Sequence, residues 1–220
     1  MMSTFSQIIA LLRQEIRVEL RNPYNLAGII LYVLAATLIV YVAVTQLSVM
    51  IWNPIFWVLL FFAAISSTGR SFGQEQGRRH LYYYTLVSPE ALLVSKVIYN
   101  SLLLLILGLL LWSLLVLFRG SNPIIAPGLF TAGLALGSLG LSAAFSFVAA
   151  IAARAGGNAT LMSILSFPLV IPLLMLLVRI GGHSTGLLEG GANEVISLLV
   201  AVDLLLIAVG ILLFPFVWRD

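Results

Sequence analysis

The chain is predicted to fold as an all-α integral membrane protein, with six transmembrane helices behind an N-terminal interfacial amphipathic helix. Two observations carry this. Six apolar stretches fill the sequence almost from end to end, over Tyr24–Leu47, Met50–Thr68, Ser95–Phe118, Ala126–Ala153, Thr160–Ile180 and Val195–Trp218. A spanning helix needs about 20 mostly apolar residues to cross a hydrocarbon core about 30 Å thick at about 1.5 Å per residue. Hydrophobic residues make up 61% of the chain and charged residues only 9%, where a soluble domain carries about 25% charge. At 220 residues the length suits one transmembrane domain over residues 1–220, with little left for a soluble unit.

Residues 3–21 open the chain as an amphipathic helix. Phe5, Ile8, Leu12, Ile16 and Leu20 recur along one face, and Arg13, Arg17 and Arg21 form a second stripe at i, i+4. The pattern suits a helix in the membrane interface, apolar side in the acyl boundary and arginines toward anionic headgroups. A helix that simply caps the bundle is the alternative. Asn22-Pro23 then breaks the helix and lets the chain turn into the first span.

Between the second and third spans lies the one long polar segment, with residues 69–94 as a loop. It holds Glu75, Gly77, Arg78 and Arg79, then three consecutive tyrosines, Tyr82 to Tyr84. Ser88-Pro89-Glu90 reads as a helix start, with serine as N-cap, proline in the first helical position and an acid in the first turn. That helix is expected to run into the third span. A basic, aromatic loop with its own helix start suits docking of another protein, against the plainer reading of a solvated connector whose tyrosines anchor at the interface.

The fourth span is rich in small residues. Gly133 and Gly137 form a G-x-x-x-G pair that Gly140 and Ala144 continue. Such a stripe lets helices approach closely, within one chain or between two. In the fifth span Pro168 and Pro172 remove two backbone donors, so a kink or local unwinding is expected, as a hinge, as a break lining a pathway or as a static bend. Asp203 is the ionisable residue well inside a span, placed in the outer half of the sixth. An acid at that depth is a functional candidate or a locally paired interfacial group. His183 falls in an external glycine-rich stretch, as a solvated loop residue or an axial haem ligand.

The basic residues set the expected orientation. With the N-terminus in the cytoplasm, Arg13, Arg17, Arg21, Arg70, Arg78, Arg79, Lys96, Arg154 and Arg219 lie inside and only Arg119 and Arg179 outside. Cytoplasmic loops are enriched in Lys and Arg, so both termini are expected to be cytoplasmic. No cleavable signal peptide is expected.

Several chemistries find no residues here. With no cysteine, disulfides, thiolate metal sites and haem attachment through C-x-x-C-H are excluded. The single lysine, Lys96, follows Ser95 rather than glycine, so there is no phosphate-binding G-x-x-x-x-G-K-[ST] loop. H-E-x-x-H does not occur, and no metal or catalytic cluster is expected. ATP hydrolysis, if used, must come from a separate subunit, and no nucleic-acid role is indicated.

The layout resembles the permease subunits of ABC type-2 exporters. Glu75-x-Gly77, then Ser88-Pro89 and Lys96, look like their coupling segment. More specifically, Arg154-Ala155-Gly156-Gly157 and the run from Ser163 through Pro168 and Pro172 to Leu174 are similar to the haem exporter protein B family, CcmB, of cytochrome c maturation. The resemblance implies an ABC ATPase subunit, CcmA-like, docked on Glu75, Gly77, Arg78, Arg79, Ser88, Pro89 and Glu90. It implies CcmC-like and CcmD-like membrane subunits, a CcmE-like haem chaperone and two copies of the chain per complex. It further implies a bacterial cytoplasmic membrane location, with haem as a transported or handled ligand and no covalently bound cofactor. Two other readings compete with it: a membrane assembly factor that moves no solute, and a permease of another type-2 exporter with a different substrate. A third reading, a channel or ion-coupled carrier, would be supported by inverted repeats, and no convincing internal repeat is visible in the sequence.

Overall fold

The computed structural model of the chain describes residues 4–21, 24–44, 46–73, 88–154 and 159–219. Among them the chain forms seven helices and no strand. They are α1 (Thr4–Arg21), α2 (Tyr24–Ala43), α3 (Val49–Gly73), α4 (Pro89–Arg119), α5 (Pro127–Arg154), α6 (Ala159–Ser184) and α7 (Ala192–Arg219). Helices α2 to α7 each contain a stretch long and apolar enough to span a membrane. The helices overlap the six predicted spans but differ at several ends, α2 stopping at Ala43 rather than Leu47 and α6 running on to Ser184 rather than Ile180. The loop expected from Gly69 begins later, because the backbone of α3 stays helical to Gly73. A helix continued past the apolar stretch keeps satisfying its own backbone groups.

Helix α5 is the hub and packs against α3, α4, α6 and α7. In its span 72% of residues are buried, against 17% for α2, which lies at the periphery against α3 and α4. The small-residue stripe makes this possible within one chain. A Cβ added at Gly133 would stand 2.5 Å from Ile180 Cγ2, and one at Gly137 2.6 Å from Leu177 Cδ2, both on α6. Gly140 faces the Asp203 carboxylate of α7 and Leu173 of α6. On the other side, a Cβ at Gly108 of α4 would stand 2.5 Å from Leu134 Cδ1 of α5. Missing side chains let these backbones meet at distances that any larger residue would prevent.

At the end of the bundle opposite α1, aromatic rings gather on Phe130 at the start of α5. Trp52, Phe56, Trp57 and Trp112 have ring centroids 6.1, 5.2, 6.3 and 6.5 Å from it. Trp52 is fully buried. It stands at the end of a span, where anchors occur, but its ring points at α5 rather than at lipid. Beside it Asn53 ties α3 to α6: its amide donates to the Val178 carbonyl (2.8 Å) and its Oδ1 accepts from Trp57 Nε1 (3.0 Å). The backbone N–H groups of Ile125 and Ala126 donate to the Ser184 carbonyl at 2.9 and 3.0 Å, pinning the α4–α5 connection onto the end of α6.

Candidate coupling site

Ser88 caps α4. It is extended (φ −70°, ψ 140°), its Oγ accepts from the Ala91 N–H at 3.4 Å, Pro89 occupies the first turn and Glu90 supplies the acid there. An extended capping residue with an oxygen acceptor satisfies one of the donors a helix start leaves free, and proline costs nothing where no N–H bond is needed. Pro89 is half-buried and Glu90 exposed. From this start α4 continues without interruption to Arg119. Glu75, Gly77, Arg78 and Arg79 lie outside the described residues.

The same start is joined to α1. The Ser88 N–H and hydroxyl both lie 3.2 Å from Gln7 Oε1 and donate to it. Two turns further along α4, Lys96 is fully buried, and its Nζ pairs with Glu15 Oε1 at 2.9 Å. One turn on again, Tyr99 hydrogen-bonds Glu19. Gln7, Leu11, Glu15 and Glu19 recur at i, i+4 and form the face of α1 that meets α4, with Leu11 buried between the polar contacts. A buried ammonium is tolerated only with a partner, and Glu15 supplies it.

α1 is thereby three-sided. One side is polar and locked to α4. Phe5, Ile16 and Leu20 lie on a second, exposed side, which fits the predicted apolar face. Arg13, Arg17 and Arg21 are exposed on a third. The sequence reading identified the second and third stripes and missed the first. Glu15 and Glu19 were the available signal, since two acids on an interfacial helix ask for a cationic or donor partner.

The other candidate residues are dispersed. Pro168 and Pro172 lie within α6, whose helical assignment continues through both, and they share an exposed face with Ile164, Phe167, Ile171 and Met175. Asp203 sits within the span Ala192–Phe214 of α7. It is 2% exposed, and neither carboxylate oxygen has a hydrogen-bond partner among the described residues. His183 belongs to the last turn of α6, not to a loop, and its Nδ1 lies 3.1 Å from the Leu188 carbonyl. The structure brings none of these four to the α1–α4 junction. Among the described residues, no group of three or more His, Asp or Glu residues could hold a metal ion.

The arrangement can transmit force. A push at the capped end of α4 reaches the far side of the membrane through one continuous helix and reaches α1 through a buried ion pair. Among known families, the one described as CcmB protein matches residues 6–219. No curated protein matches the chain.

Proposed function

The chain belongs to the CcmB family, a membrane permease component of the haem export system of c-type cytochrome biogenesis, and from that membership we propose that it couples ATP hydrolysis on a separate subunit to movement of its own helices. The observation that carries the proposal is the junction of α4 with α1. A docked ATPase moves membrane helices only by pushing on something stiff. The capped start of α4, held to Gln7 by Ser88 and to Glu15 by Lys96, is stiff and continuous with a span.

In this reading Glu75, Gly77, Arg78 and Arg79 receive a CcmA-like ATPase together with Ser88, Pro89 and Glu90. CcmC-like and CcmD-like subunits and a CcmE-like chaperone complete the assembly, with haem as the handled ligand. Both termini face the cytoplasm of a bacterial inner membrane. The exposed face bearing Pro168 and Pro172 supports assembly with a second copy. Residues on the outside of one chain line a path only if that path lies between subunits.

The test is co-purification of the ATPase subunit, its ATP turnover and the cytochrome c yield. Glu75→Ala is expected to weaken docking or to leave hydrolysis running without cytochrome c maturation. Ser88→Ala removes the cap, a loss of about 0.5–2 kcal/mol, and should lower coupling with membrane insertion unchanged. Wild-type values of all three measurements in both variants would reduce the segment to a passive connector.

A further inference from the structure

A cleft of about 600 Å³ opens at the end of the bundle opposite α1, between α2, the α2–α3 connection and the last turns of α4. Its walls include Thr37, Tyr41, Val42, Leu115, Phe118 and Arg119. We propose that this cleft is a binding site for one anionic phospholipid, its phosphate on Arg119 and an acyl chain along the groove between α2 and α4.

Arg119 is held in place before any ligand arrives. Its Nε donates to the Leu47 carbonyl at 2.9 Å, and one terminal nitrogen, Nη1, donates to the Ser121 carbonyl and hydroxyl at 3.0 and 2.7 Å. A guanidinium carries five N–H donors. The two on the remaining nitrogen, Nη2, have no partner among the described residues, and no carboxylate there pairs with this cation. A fixed fork with two free donors and an unneutralised charge suits a phosphate.

Depth places that charge at headgroup level. Lys96 and Arg119 stand on one unbroken helix, 119 − 96 = 23 residues apart. At about 1.5 Å per residue they are separated by about 35 Å, slightly more than the hydrocarbon thickness of about 30 Å. With Lys96 at one boundary, Arg119 reaches the other.

Below the arginine the cleft turns apolar. Tyr41 stacks on Phe118 with centroids 4.8 Å apart, Leu115 is buried, and the Thr37 hydroxyl is satisfied by the Val33 carbonyl. With the Thr37 hydroxyl so engaged, that buried side chain sets no unmet donor against hydrocarbon. Tyr41 and Val42 are strongly exposed on the peripheral helix, which opens the cleft toward the bilayer. The charge at the top and the apolar floor select an amphiphile, and the lateral opening selects one delivered by the membrane.

The test uses the full-length chain, purified in mild detergent, delipidated and titrated with phosphatidylglycerol or phosphatidylcholine, with retained lipid read by native mass spectrometry. One phosphatidylglycerol per chain should be retained in preference to phosphatidylcholine. Arg119→Gln should weaken retention about tenfold, the effect of losing one charge-assisted contact. Arg179→Gln, an exposed arginine outside the cleft, should not. Because Arg119 also holds Leu47, a second variant guards against misfolding. Val42→Glu places a negative charge on an exposed wall residue, leaves the Arg119 bonds untouched and should weaken phosphatidylglycerol retention similarly. Equal retention of both lipids, wild-type retention in Val42→Glu, or displacement of the lipid by millimolar inorganic phosphate would each overturn the proposal, the last by assigning the site to a soluble anion.

Discussion

Lys96 is fully buried, and its ammonium lies 2.9 Å from a carboxylate that is itself 21% exposed. Breaking a buried pair by removing one partner leaves the other charge uncompensated, a loss of about 3–5 kcal/mol, whereas replacing both by apolar groups is often neutral. Lys96→Met should therefore lower the thermal midpoint of the purified protein, and Lys96→Met combined with Glu15→Leu should recover most of it. A double variant no more stable than the single one would show that the pair does not hold α1 to α4. Gly140 makes a sharper steric case. A methyl there would overlap the Asp203 carboxylate and Leu173, whereas a Cβ at Gly128 meets nothing within 4 Å. Gly140→Ala is expected to reduce the yield of folded protein severely, and Gly128→Ala to leave it unchanged or slightly improved, as fits alanine's better helix propensity. Folded yield measured by size-exclusion profile distinguishes the two. These contacts were not legible in the sequence, because nothing local reports which neighbour a glycine meets.

At the scale of helices, α6 carries its two prolines on an exposed face. Each proline removes one backbone hydrogen bond and clashes with a preceding carbonyl, so an alanine at both positions restores the bonds and stiffens the helix. Because the face is exposed, the change costs no packing within the chain. Pro168→Ala with Pro172→Ala should insert and assemble normally while cytochrome c maturation falls. Full maturation in that variant would make the prolines a static feature. The capped start of α4 is the counterexample in legibility. Ser88-Pro89-Glu90 was readable as a helix start because capping is local, confined to a few residues whose chemistry alone satisfies the free donors. The three-sided character of α1 was readable only in part, since its apolar and basic stripes stand out against each other while the acids facing α4 needed the partner in view.

For the whole molecule the testable quantity is orientation. With nine basic residues on one side and two on the other, reporter fusions after Arg79, Arg154 and Asp220 should read cytoplasmic, and fusions after Ser121 and Glu189 external. An external signal after Arg79 would reverse the bundle and remove the coupling proposal with it. Cytoplasmic readings at those three positions would place the cleft at Arg119 in the outer leaflet, so the same fusions locate the proposed lipid site.

Sequence alone was enough for the class of the protein, its six spans and the capped start of α4. Length and apolarity of a segment are sums over local residues, and the bilayer imposes a length that such sums reveal directly. Which face of each span meets which neighbour emerges only in the folded bundle. Trp52, Trp57 and Trp112, scattered in sequence, converge on Phe130, and Lys96 finds Glu15 across 81 residues. The glycine stripe of α5 closes against α6 and α7 within the chain, and Asp203 comes to the centre of the bundle. The physical reason is common to all of them. A helix apolar all round has no amphipathic period to mark its buried side, and with lipid as apolar as leucine, close packing and a few polar contacts choose the partner instead.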